Sequence, residues 1–126
     1  MGMGDEKAVN NTATLTDSHL IIEPRGLDKL WSFAGSITVP WDHVRGATRD
    51  PGMKNEPKGW RGPGLRVGQK ISGTFHADGE NQFWNVSGYE NTVVIELTDE
   101  HFTRLIVSLD NPADTANRIT QRASAR

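Results

Sequence analysis

The sequence predicts a mainly β fold of seven antiparallel strands followed by one C-terminal α-helix. Three observations carry this expectation. Residues 36–41, 91–98 and 103–109 alternate apolar and polar, which puts Ile37, Val39 and Trp41, then Val93, Ile95 and Leu97, then Leu105, Val107 and Leu109 on one side of three strands. Turn-forming pairs such as Asp78-Gly79 and Asp99-Glu100 separate apolar runs. After Leu109 the period changes, with Ala113, Ala116, Ile119 and Ala123 at helical spacing.

The remaining elements follow in order. Residues 1–11 are polar and lack an apolar segment, so they read as a disordered arm without a secretory signal. Thr12 to Glu23 is rich in Thr, Leu and Ile and reads as one strand ending in the turn Glu23-Pro24-Arg25-Gly26. Lys29 to Phe33 is a second short strand, with Ala34-Gly35 as its turn. Ser36 to Trp41 is the third, and Pro40 inside it marks an edge or a bulge. Residues 49–64 contain Pro51, Pro57 and Pro63 among Gly52, Gly59, Gly62 and Gly64, which predicts a long loop. Strands resume at Leu65–Phe75, Gln82–Val86, Asn91–Thr98 and Thr103–Leu109, while His76 to Glu80 is a turn. The helix starts with Asp110 or Asn111 as cap and Pro112 in its first turn, and it ends near Arg122. Residues 12–122 thus form one domain and residues 123–126 fray.

Composition narrows the class. The chain of 126 residues has no cysteine, which excludes disulfides and thiolate metal sites and points to a reducing, cytoplasmic setting. No run of about 18 apolar residues is present, so no transmembrane helix is expected.

Charge is distributed unevenly. Residues 45–75 carry seven basic residues (Arg45, Arg49, Lys54, Lys58, Arg61, Arg66, Lys70) against Asp50 and Glu56, a local +5 in a chain of net charge −2. The rest therefore holds −7. Such a segment attracts an anionic partner or an acidic part of the same chain. Trp60 lies between Lys58 and Arg61 and can either anchor a ligand or fold back on the sheet. Arg49, Lys54, Lys58, Trp60 and Arg61 form the candidate ligand-binding set.

Several motifs resemble one family. Pro57-Lys58-Gly59-Trp60-Arg61-Gly62-Pro63-Gly64 through Gly73-Thr74-Phe75, then Phe83-Trp84-Asn85-Val86, Val94-Ile95-Glu96-Leu97 and Arg104-Leu105-Ile106-Val107, resemble an uncharacterised family of bacterial pleckstrin-homology-like (PH-like) proteins. Gly59 lacks the preceding proline of that pattern. The resemblance spans about residues 12–120. It implies a PH-like split barrel, two orthogonal sheets of seven antiparallel strands capped by the C-terminal helix. It carries no assigned activity.

No catalytic constellation is legible. The histidines are His19, His43, His76 and His101. Asp17 and His19 would share a strand face, but two ligands are too few for a metal site. Asp42 and His43 are adjacent and would point apart on a strand. No nucleophile elbow, zinc-protease or phosphate-loop motif occurs. The expectation is a non-catalytic module with no cofactor or metal, recognising a protein or peptide. The alternative is anionic-lipid binding through the basic loop, and a hydrolase or isomerase using Asp17, His19 or His43 is the third reading. Net acidity argues against nucleic acid as a partner.

Overall fold

The computed structural model describes residues 11–24, 36–50, 60–67, 70–77, 79–87 and 89–125. The expected strand at Lys29–Phe33 lies outside them, as does most of the N-terminal arm. The described residues form nine strands and one α-helix. These are β1 (Asn11–Leu15), β2 (His19–Pro24), β3 (Ile37–Pro40), β4 (Val44–Arg49), β5 (Trp60–Val67), β6 (Lys70–Ala77), β7 (Glu80–Ser87), β8 (Thr92–Leu97), β9 (Arg104–Ser108) and α1 (Pro112–Ser124). They make a three-stranded sheet, β1-β2-β3, and a six-stranded sheet, β4-β8-β9-β7-β6-β5. The mainly β class and the C-terminal helix stand. The seven-stranded split barrel is corrected to nine strands in two sheets that are not closed into a barrel.

Each difference has a local cause. Thr12–Glu23 is a hairpin rather than one strand, because Thr16 makes the turn with its side chain. The Thr16 hydroxyl accepts from the backbone N–H of Ser18 (3.3 Å) and of His19 (2.9 Å). A threonine turn of this kind needs no glycine. The expected loop at 49–64 ends early, since β5 starts at Trp60. A register shift between Arg61 and Gly64 sets Gly62 and Pro63 outside the ladder with β6, where a proline costs no hydrogen bond. His76 lies within β6 rather than in a turn, and Ala77 pairs with Glu80 across a tight reversal whose Gly79 has φ 79°.

The all-antiparallel expectation fails at one pair. Only residues 88–91 separate β7 from β8, yet β9 inserts between them and runs parallel to β7. The β8–β9 hairpin folds back into that gap, with Phe83 beside Leu105 and Val93 beside Val107. A short connection therefore does not make neighbours here.

The middle strands of the six-stranded sheet, β7, β8 and β9, carry buried residues on both faces. One face carries Phe83, Val93, Ile95, Leu105 and Val107 against Leu20, Ile22 and Val39 of the smaller sheet and Ala116, Ile119 and Ala123 of the helix. The other holds Phe75, Trp84, Val86, Val94 and Ile106, with the Phe75 and Trp84 rings 5.6 Å apart. Of the nine residues expected on the inner side of those three segments, eight are buried and Ile37 is half-buried.

Helix α1 begins with Pro112 and covers the outer edge of β4. The Thr120 hydroxyl accepts from the Ala47 N–H at 3.0 Å and donates to the Ala47 carbonyl at 2.9 Å. This satisfies backbone groups that an edge strand otherwise exposes. Asn111 takes the cap position in a left-handed conformation with φ 47°, and its side chain makes no cap bond. The Thr115 hydroxyl instead donates to the Asp110 carbonyl at 2.8 Å. Ala113, expected in the buried stripe, is exposed.

Candidate functional site

The candidate basic set is divided by the fold. Arg49 closes β4, at one edge of the large sheet, and Trp60 and Arg61 open β5 at the other edge. Five strand spacings separate the two, about 24 Å at the usual distance between neighbouring strands. The pairing registers also set them at opposite ends. Arg49 lies level with Val93, whereas Trp60 lies level with His76 and Asn81. Lys54 and Lys58 lie outside the described residues. The Arg49 guanidinium donates to the Glu90 carbonyl through Nε at 3.1 Å and Nη2 at 2.8 Å. It therefore clamps the turn before β8 and borders an open hollow of about 430 Å³ beside Pro112 and Asp114.

The histidines have structural partners. His43 Nδ1 lies 2.6 Å from Glu100 Oε2, a pairing across 57 residues that sequence spacing did not reveal. His76 bonds Asn81 across the β6–β7 pair. His19 Nδ1 lies 2.7 Å from the Ser18 hydroxyl. Asp17 sits in the Thr16–Ser18 turn, so the strand face it was expected to share with His19 does not form. Among the described residues no group of three or more His, Cys, Asp or Glu side chains could hold a metal ion.

Two further cavities flank helix α1. The first, about 340 Å³, lies between Asp17, Asp42, Trp41 and Arg122. Its basic wall is committed to structure. Arg122 Nη2 donates to the carbonyls of Thr16 (2.8 Å) and Asp17 (3.2 Å), and its guanidinium lies 5.3 Å over the Trp41 ring. Trp41 Nε1 donates to the same Thr16 carbonyl at 2.9 Å.

The second cavity is a groove of about 340 Å³ along β1. All of β1 forms one wall; Leu109, Asp110, Thr115 and Arg118 form the other. Strand β1 is an edge, paired only with β2 among the described residues. Thr12 and Thr14 are exposed, while Ala13 and Leu15 are half-buried against the core. Asn11 fixes the near end, where its Nδ2 donates to the carbonyls of Asn85 (2.9 Å) and Ser108 (3.0 Å). Arg122 fixes the far end through the Thr16 carbonyl. The edge strand is thus held at both ends, and a slot lies between it and the helix.

The sequence gives no warning of this groove. It depends on β1 being an edge and on Arg122 drawing the helix alongside, and neither contact is local. Comparison with family models, curated protein sequences and solved structures finds no significant match.

Proposed function

We propose that this chain is a non-catalytic binding module that takes a protein or peptide partner by strand addition along β1. The observation that supports it most is the groove itself: a strand edge beside which no other described strand lies, pinned at both ends and facing a helix across an open slot. A peptide entering in extended form would gain main-chain hydrogen bonds from β1 and side-chain contacts from the helix wall. Kinship with the bacterial PH-like family is part of the same reading. Its support is the motif set between Pro57 and Val107 together with two sheets and a C-terminal helix, while the parallel β7–β9 pair departs from that plan.

The test is capture from native lysate by three forms of the chain. Thr12→Lys with Thr14→Lys places charges on the strand edge, a device that blocks edge pairing. Lys54→Glu, Lys58→Glu and Arg61→Glu together reverse the basic segment. The reading expects the first variant to lose the wild-type partner and the second to keep it. The opposite pattern would return the site to the basic segment, and anionic vesicles would then be the next ligand to try.

A further inference from the structure

We propose that the β1 groove selects an acidic residue in the extended peptide it binds, with Arg118 as the selecting group. This rests on the strand-addition reading and adds the chemistry of the ligand.

Arg118 and Arg122 lie four apart on α1, so they share a side of the helix. That side faces β1, because Arg122 reaches the Thr16 carbonyl immediately beyond the strand. The two arginines have different fates. Arg122 is bonded to two carbonyls and stacked on Trp41. Arg118 is exposed on the groove wall, and nothing among the described residues bonds or pairs with its guanidinium.

Position along the strand follows from helix and strand rise. One helical turn back from Arg122 is about 6 Å. That equals roughly two residues of extended chain. Arg118 therefore stands level with Thr14. Asp110, at the other end of the same wall, stands towards Asn11. Arg118 makes the wall basic at the Thr14 end.

An added strand lies about 4.8 Å from β1 and carries side chains alternately towards and away from the core. The core-directed ones meet Ala13, Leu15 and Leu109, which favours small or apolar residues. A carboxylate beside Thr14 meets the guanidinium fork, whose planar donors suit it in a bidentate pair. One guanidinium on the wall offers one such pairing, so the groove favours one acid at a fixed register rather than a uniformly acidic tract or a lipid surface.

The experiment uses the full chain and a displayed library of random ten-residue segments held inside a loop, so that no free terminus is offered. The expected result is enrichment of Asp or Glu at one position, with small or apolar residues flanking it. The enriched peptide, synthesised with blocked ends, should shift the amide resonances of Thr12 to Leu15. Its Gln counterpart should bind about tenfold more weakly, the scale of one charge-assisted pair. Arg118→Gln should abolish that difference without changing the melting temperature, and Arg118→Glu should enrich Lys or Arg instead. Binding at β1 without acid preference would overturn the selection and leave the strand-addition reading standing. A β1-mediated dimer of this chain would also overturn it. A library that yields no β1 binder would overturn both.

Discussion

Asn11 and Asn85 hold each other in a buried reciprocal contact: Asn85 Nδ2 donates to Asn11 Oδ1 at 2.8 Å, and Asn11 Nδ2 donates to the Asn85 carbonyl at 2.9 Å. Both residues are almost fully buried. Asn11 Nδ2 also reaches the Ser108 carbonyl, so one amide ties β1 to β7 and β9. Removing it strands polar groups between the sheets. Asn11→Ala should cost about 2–4 kcal/mol, more than one ordinary hydrogen bond, because several buried partners lose their mate. Urea unfolding at constant m-value measures this, and a loss below about 0.5 kcal/mol would reject the latch.

Ile119 is fully buried under α1. Ile119→Ala should cost roughly 2–4 kcal/mol through lost burial and the cavity left behind. Thermal and chemical melts that match wild type would mean that the helix is not docked.

Thr120 guards the β4 edge through its hydroxyl. Thr120→Val keeps the shape and removes both bonds to Ala47. The expected cost is about 1 kcal/mol. The sharper readout is amide hydrogen exchange: Ala47 should lose protection while Ile95, its partner on β8, keeps it. Unchanged exchange at Ala47 would show that the edge is closed by something other than this side chain.

Arg122 joins the end of α1 to the β1–β2 turn. Arg122→Lys keeps the charge but loses the planar fork and the stacking on Trp41. A stability loss of about 1–2 kcal/mol is expected, with altered Trp41 indole resonances as the specific sign. A variant as stable as wild type, with unmoved Trp41 signals, would remove Arg122 as the strut.

The contrast between strands that were legible and strands that were not is physical. Alternation located β8 and β9 because Val93, Ile95, Leu105 and Val107 face the shared core. The same alternation concealed that Val94 and Ile106 are buried too, since a sheet covered on both faces reads as a continuous apolar run. The β1–β2 turn was missed because Thr16, Asp17 and Ser18 contain neither glycine nor proline. The start of β5 was missed for the opposite reason, since Gly62 and Pro63 sit inside a strand that a bulge accommodates. At the site, the basic segment was conspicuous by composition. The groove has almost no compositional signature, because two threonines, an alanine and one arginine gain meaning only when β1 and α1 are placed side by side.

The insertion of β9 between β7 and β8 also governs when the molecule can become whole. A ribosome releases β4 to β8 before β9 exists, and until then the large sheet has a vacant lane through its middle rather than a missing margin. Asn11 must wait for Ser108, 97 positions later. Contacts of such long sequence separation form slowly. The middle of the large sheet therefore stays open until β9 has followed β8, and only then can the tie between Asn11 and Ser108 close.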